Sequence, residues 1–530
     1  MTKVRDNNIT ILKALAITFV VMAHAASPLP VSRLSYMIGV SLFFMASGFF
    51  FNVKYLNDEG TFVKRRLRRL YVPFVKWSVL LLILHNLWFH IGILSETYGN
   101  ATGEVTHPLN AQQWMQSLWS IVTNMSGYDA FLGEAYWFFR ALLVSGIAFL
   151  ILFKLLSLLP FYRTAEADAP EIKENPERFS PYSLIALTIS GISLGLAMWK
   201  TGCNLQWTGL SQGGYRELMG IFFLSTGYLY HRFFNWVAYN HPQNALPLPR
   251  LVANSDGSPL SMGVKCRHYA AVAWISTKNF TRTTHRIPVA PLLFSALIVA
   301  LLAAFPHPTM AVRARNIGEV LALALSGIAG FALIYHLSVI INNLMKTLEK
   351  SAGNAGNTHI VSKMLLYIGD NTLYIFGWHL LAFKLASMLK VGIYGLPWEM
   401  VGGHPVVHSE SGQWFWVIYT IIGIAVPLLC VYLAGVCRQK YFASLSYSVV
   451  FAHIGAALST AAHYASIGIG VATAYTWLGM KWLGRMIAIV SRYVWKGLSL
   501  AFGWIFRGLI GFWHSLIKAV QSGADIENED

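Results

Sequence analysis

The chain has 530 residues, of which 55% are hydrophobic and only 12% charged, and its formal net charge is +17. Soluble globular domains carry about 25% charged residues, so this balance excludes an ordinary soluble protein and indicates a polytopic membrane protein. Nucleic acid is a conceivable partner for so basic a chain. However, the lysines and arginines cluster between apolar runs, which is typical of loops at a membrane surface. We therefore expect membrane lipids, and no nucleic acid, as partners.

The four cysteines indicate neither a disulfide framework nor a metal site. No CxxC pair occurs among them, and no histidine stands at a spacing typical of zinc ligands. They lie scattered at Cys203, Cys266, Cys430 and Cys437. We therefore expect no bound metal.

Apolar runs long enough to cross a bilayer recur along the chain, since about 20 residues suffice for a transmembrane helix. No internal repeat and no phosphate-binding GxxxxGK[ST] or GxGxxG motif accompanies them. Ten runs are predicted, and they begin near Ile9, Leu34, Leu70, Trp137, Leu184, Leu218, Val289, Ile317, Met364 and Trp414. The predicted fold is an all-α membrane protein, a bundle of about ten transmembrane helices.

The basic residues of the loops predict the orientation of this bundle. The N-terminus carries Lys3 and Arg5, and the loop after the second span reads KRRLRR, whereas residues 85–139 contain no lysine or arginine. An excess of positive charge marks cytoplasmic loops. We therefore predict a multi-pass protein of the inner (cytoplasmic) membrane with a cytoplasmic N-terminus.

The first apolar run, ILKALAITFVVMAH, contains two ionisable residues, Lys13 and His24. They are eleven residues apart, so a helix would place them on one face and roughly 16 Å from each other. Ionisable groups within spans usually face a cavity or a pathway. A basic N-terminus followed by an apolar run and AHAA also resembles a cleaved signal peptide. Because Lys13 interrupts the apolar region of such a signal, we expect the segment to remain as the first span.

The segment KRRLRR contains Arg66 and Arg69, one helical turn apart at the predicted cytoplasmic start of the third span. The positive-inside rule alone would account for arginines at this position. Paired guanidinium groups are also well suited to binding phosphate. At this point both interpretations remain open.

Five segments together resemble acyltransferase family 3. They are LKALAITFVVMAH, SLFFMASGFFF, RRLRRLYVP, EAYWFFRALLV and IGDNTLYIFGWHLL, and their order and spacing over about residues 7–440 are similar to those of the family. The family consists of integral membrane enzymes that transfer acyl groups, usually acetyl from acetyl-CoA, to carbohydrates of the cell envelope. The resemblance therefore implies acetyl-CoA as a co-substrate and an envelope saccharide or lipid-linked glycan as the acceptor.

The family pattern has an arginine eleven residues before the histidine of the first span, and an RxxR at the start of the third. His24, Arg66 and Arg69 match this pattern, while Lys13 keeps the charge of the usual arginine but lacks its bidentate fork. The resemblance implies that the three cations bind CoA phosphates on the cytoplasmic side. It also implies that His24 acts near the outer surface, either as a general base or through an acyl-histidine.

Three further residues are candidates for supporting roles. Glu134 and Arg140 in EAYWFFRALL are candidates to complete the site or to form a structural ion pair. His379 matches a late-span histidine that recurs in the family, and a hydrogen-bonded core histidine is the alternative. The sequence does not decide between these roles.

Beyond residue 440 the resemblance ends, so we predict two domains, 1–440 and 441–530. The second begins with a segment rich in small residues that could add another span. A basic amphipathic helix is predicted to follow and to lie in the membrane interface. The rival to the acyltransferase prediction is a multi-span transporter or exporter, which would also place charges along a path through its bundle.

Overall fold

A computed structural model of the chain describes residues 6–99, 104–126, 128, 131–159, 181–207, 210–240, 289–304, 309–351, 360–409 and 411–441. Every regular element within these ranges is helical. The all-α class is thereby confirmed. The predicted C-terminal domain from residue 441 onwards lies outside the described residues, apart from Tyr441 itself.

Thirteen α-helices form the described part of the chain. They are α1 Asn7–His24, α2 Leu29–Phe49, α3 Glu59–Arg66, α4 Val72–His90, α5 Ala111–Asn124, α6 Trp137–Ser157, α7 Pro181–Gly202, α8 Tyr215–Asn240, α9 Val289–Ala304, α10 Ile317–Ser351, α11 Ile360–Asp370, α12 Thr372–Tyr394 and α13 Trp416–Tyr441.

Eight stretches of the described residues are long and apolar enough to cross a membrane, so the predicted count of ten is not confirmed. The predicted span near Leu218 corresponds to α8, which carries charged residues, and that near Val289 corresponds to a shorter apolar helix, Leu292–Ala304. The eight stretches are Asn7–His24, Leu29–Phe49, Glu59–His90, Phe131–Ser157, Tyr182–Gly202, Ile317–Lys346, Thr372–Tyr394 and Gln413–Cys437.

The run predicted to start near Met364 is divided into two helices at Asn371. The side chain of Asn371 donates a hydrogen bond to the carbonyl oxygen of Tyr367 at 2.9 Å. Such local bonds from asparagine compete with the helical ladder. Only the second helix, α12, is therefore long enough to span.

Helix α1 lies inside the bundle and packs against α2, α10, α11 and α12. Its N-terminus is capped by Asp6, whose carboxylate accepts hydrogen bonds from the backbone of Asn8 at 2.9 Å and of Ile9 at 3.4 Å. The helix ends at His24, and the chain then turns through Ala26, which has a left-handed φ of 53°. The residues at both ends of α1 are thus held by local structure.

Two glycines allow close contacts between helices in the bundle. A Cβ on Gly369 of α11 would clash with the carbonyl oxygen of Thr10 in α1, and one on Gly48 of α2 would clash with that of Leu224 in α8. Small residues at such contacts are typical of membrane bundles. They let α11 and α2 approach their neighbours at backbone distance.

Two buried lysines on α12 hold the loop that follows this helix. Lys384 Nζ donates to the carbonyl oxygens of Val401 and Gly403, both at 2.7 Å, and Lys390 Nζ donates to that of Val407 at 2.8 Å. A buried ammonium group requires such partners. The lysines therefore fix the loop of residues 401–408 against α12.

Candidate active site

A cavity of about 560 Å³ lies beside the first half of α1. We call it the basic cavity. Its charged and tyrosine lining residues are Asp6, Lys13, Tyr55, Arg65, Arg66 and Arg69. The three cations that the sequence selected thus line one space, and Asp6 is engaged in capping α1.

Arg66 is held in this cavity by three neighbours. Its Nη2 donates a hydrogen bond to the hydroxyl of Ser47 at 2.6 Å, and its Cζ lies 5.0 Å from the centre of the Phe62 ring. A Cβ placed on Gly146 would lie 3.3 Å from the same Cζ. The glycine therefore leaves room for the guanidinium group.

A π-helical turn, Leu67–Tyr71, carries Arg69 between α3 and α4. Its cause lies in Pro73, which has no N–H to donate to the carbonyl of Arg69 and so interrupts the α-helical ladder. The amide of Val72 donates to the carbonyl of Leu67, five residues back, and not to that of Arg68, four residues back. Such wide turns are frequent at functional sites.

Arg65 and Tyr55 also belong to the basic cavity, although the sequence did not select them. Arg65 Nη1 donates to the hydroxyl of Tyr55 at 2.8 Å. The run KRRLRR provided the signal for Arg65, but its spacing alone did not indicate which face of the helix would meet the cavity.

His24 lies at the opposite end of α1. Its Nδ1 is 2.8 Å from the carbonyl oxygen of Val20, and since a carbonyl can only accept, Nδ1 carries the proton. The neutral ring therefore presents Nε2 as an acceptor. This is the tautomer that a general base or nucleophile at Nε2 requires.

His379 of α12 lies next to His24. The two ring centroids are 5.2 Å apart, and His379 is fully buried. Its Nδ1 lies 2.9 Å from the carbonyl oxygen of Phe376, while its Nε2 has no hydrogen-bond partner among the described residues. His379 is thus buried beside His24, with one nitrogen still able to accept a hydrogen bond.

Glu134 pairs with a histidine from a distant loop. Its Oε2 lies 3.3 Å from His404 Nε2, and both groups are close enough to His24 to interact with it electrostatically. His404 belongs to the loop fixed by the buried lysines, and no sequence motif indicated it. Arg140 lies farther along, on α6, and is partly buried.

A second, much smaller cavity of about 30 Å³ lies against the His24 ring. We call it the His24 chamber. Besides His24, its lining includes Val20, Ser35, Val40, Trp137, Met310 and Phe376. Four different helices and the loop before α10 contribute these walls.

A third cavity, of about 460 Å³, begins directly after His24, because Ala25 and Ala26 form part of its wall. We call it the aromatic cavity. Its aromatic and polar lining residues are Lys390, His408, Ser409, Gln413, Phe415, Trp416 and Tyr419. Within the described residues, no cluster of three or more histidine, cysteine or acidic side chains is arranged to hold a metal ion.

A family model described as an acyltransferase domain, that of acyltransferase family 3, matches residues 6–435. Comparison with curated proteins and with solved structures gave no match. The match spans α1 to most of α13 and includes all three cavities. With the membrane-spanning helices, it shows that the chain belongs to acyltransferase family 3 and is a membrane acyltransferase.

Proposed function

We propose that the protein transfers an acetyl group from cytosolic acetyl-CoA to a hydroxyl of an envelope saccharide or lipid-linked glycan outside the inner membrane. One observation supports this most directly. Lys13, Arg66 and Arg69 line one cavity at the N-terminal end of α1, while His24 lies at its C-terminal end. The acetyl-CoA molecule has the same division, with phosphates at one end and the thioester at the other.

The basic cavity would hold the phosphate end of the donor. Arginine forks and a lysine ammonium group form charge-assisted hydrogen bonds with phosphate oxygens. Eleven helical residues separate Lys13 from His24, which corresponds to roughly 16 Å along the axis. The flexible arm of the donor would extend over this distance and bring its thioester to His24.

The chemistry at His24 follows from its tautomer. Nε2 takes the proton of the acceptor hydroxyl while the hydroxyl oxygen attacks the thioester carbonyl carbon. A carbon–oxygen bond forms, the carbon–sulfur bond breaks, and the leaving thiolate takes the proton from His24. In the alternative, Nε2 attacks the thioester carbonyl carbon and the CoA thiolate leaves. The acceptor hydroxyl then attacks the acyl-histidine, the carbon–nitrogen bond breaks, and the hydroxyl proton passes to the thiolate.

The aromatic cavity is the place we assign to the acceptor. It adjoins His24 through Ala25 and combines aromatic rings with amide, hydroxyl and cationic groups. Aromatic faces with a few well-placed polar groups are typical of sites for small polar ligands. A saccharide unit held there would present a hydroxyl towards the end of α1.

The test is transfer of radiolabelled acetyl from acetyl-CoA by the full chain in proteoliposomes. The acceptor would be the envelope glycan fraction of a strain that lacks the protein. Label in the glycan, released by mild base as expected for an ester, supports the proposal. No transfer to any glycan fraction, together with uptake of a solute, would establish the transporter instead.

A further inference from the structure

The His24 chamber is small enough to select the group that enters it. Its volume is about 30 Å³. Since about 10–15 Å³ of such space admits one water-sized group, the chamber accommodates a fragment of about two to three heavy atoms. The methyl carbon, carbonyl carbon and carbonyl oxygen of an acetyl group are three heavy atoms, and each further methylene requires additional space.

Two walls of the chamber are held together by Arg216. Arg216 lies over Trp137, with Cζ 4.0 Å from the ring centre, and donates hydrogen bonds to the carbonyl oxygens of Met310 at 3.1 Å and Ala311 at 2.7 Å. Gln212 Nε2 donates to Ala311 as well, at 2.6 Å. One arginine thus connects two walls, and Trp137 cannot separate from the loop of Met310 and Ala311 without breaking these contacts.

One polar group in the chamber has no hydrogen-bond partner in the part of the chain that the structure describes. The side chain of Ser35 in α2 is buried, and its hydroxyl makes no hydrogen bond to the described residues. Ser41, one and two-thirds turns further along the same helix, donates to the carbonyl of Ile38 at 3.1 Å, as helical serines usually do. Because Ser35 also lines the His24 chamber, its hydroxyl is available to donate a hydrogen bond to a ligand there.

We propose that the His24 chamber is the acyl subsite, in which Ser35 hydrogen-bonds the acyl carbonyl oxygen and the walls exclude groups longer than acetyl. This inference rests on the proposed function. As the acceptor oxygen attacks, negative charge develops on the carbonyl oxygen, and a donor aimed at that atom stabilises it. Ser35 keeps its proton throughout, because the proton of the acceptor passes through His24 to the leaving thiolate.

Ser35→Ala tests the hydrogen bond. Removal of one donor to a developing oxyanion costs about 10²–10³-fold in rate, so kcat should fall by at least tenfold while the KM for acetyl-CoA changes little. Ser41→Ala is the matched control, since it removes another buried hydroxyl of α2 that does not line the chamber, and its kcat should stay at the wild-type value. Ser35→Thr, which restores a hydroxyl, should recover activity relative to Ser35→Ala.

A series of donors tests the walls. In a pocket of fixed size, one methylene changes the rate by about 10–200-fold, so butyryl-CoA should react at least tenfold more slowly than acetyl-CoA. Val40→Ala removes two methyl groups from the wall and should raise the butyryl-to-acetyl rate ratio severalfold. If no acyl-CoA supports transfer by the wild-type protein, the proposed function fails. If acetyl is transferred but butyryl reacts as fast, or Ser35→Ala stays within threefold of wild type, the acyl subsite is wrong and the function stands.

Discussion

The basic cavity and the His24 chamber lie at the two ends of one helix, and they differ almost twentyfold in volume, about 560 against about 30 Å³. The first is wide and lined by long cationic side chains. The second is closed by aromatic and aliphatic walls that Arg216 holds in place. A wide charged site suits binding, whereas rate depends on reacting atoms held in one geometry. Affinity for the donor and the rate of transfer should therefore respond to different residues.

The largest effect is expected at the His24 chamber. General-base assistance contributes about 10²–10⁴-fold to the rate, so His24→Ala should lower kcat by about 100-fold or more. The KM for acetyl-CoA should change little, because the phosphates would bind at the other end of α1. Steady-state kinetics on protein whose thermal unfolding matches the wild type checks this. A correctly folded His24→Ala protein with nearly normal kcat would remove His24 from the chemistry.

A smaller effect is expected at the basic cavity, and it should appear as weaker binding of acetyl-CoA. Arg66→Ala and Arg69→Ala each lose charge-assisted bonds to phosphate, which are worth about 1.5–3 kcal/mol or about 10–100-fold in KM for acetyl-CoA. Arg68→Ala is the matched control, since Arg68 is exposed in the same run and is not among the described residues that line the cavity. Equal kinetics in all three variants would leave only the positive-inside explanation.

Lys13 allows a more graded test of the basic cavity. Lys13→Arg keeps the charge and adds the fork that is usual in the family, so its KM should stay within a few-fold of the wild type. Lys13→Ala should raise the KM by roughly tenfold, because one charged contact with phosphate is lost. A normal KM for Lys13→Ala would show that the charge at this position does not contact the donor.

The smallest effect is expected for the C-terminal residues, which come after the described lining residues of the basic cavity and the His24 chamber in the sequence. Deletion of the residues from Trp477 onwards should leave acyl transfer largely intact, because the family match ends at residue 435 and all three cavities lie before it. Activity of the truncated and full-length chains would be compared in membranes at equal protein amounts. Complete loss in a correctly inserted truncation would make the C-terminal residues part of the catalytic unit.

The sequence predicted the candidate site residues on and near α1 better than the side chains and loops that surround them. Lys13 and His24 follow from the period of a single helix, and the position of Arg66 and Arg69 follows from their place before an apolar run. These are local relations between residues close in sequence. They required no knowledge of which helices pack together.

The His24 chamber and its neighbourhood could not be predicted in this way. His404 reaches Glu134 across 270 residues of chain, and the carbonyls that hold Arg216 come from a loop nearly 100 residues away. Ser35 is one of many serines in apolar helices. Ser78 and Ser183 also lack a hydrogen-bond partner among the described residues, and only its place in the wall of the His24 chamber distinguishes Ser35 from them. Partners of this kind depend on tertiary packing, whereas the division of one predicted run at Asn371 follows from a local hydrogen bond.

The most direct test of the separation between binding and chemistry is the Kd for acetyl-CoA of purified His24→Ala and Arg66→Ala proteins, measured at equilibrium without acceptor. His24→Ala should bind acetyl-CoA with the wild-type Kd although its kcat is lowered by about 100-fold or more. Arg66→Ala should bind at least tenfold more weakly, which corresponds to about 1.4 kcal/mol. If His24→Ala weakens binding as much as Arg66→Ala does, donor binding and chemistry are not separated between the two ends of α1, and the proposed separation is contradicted.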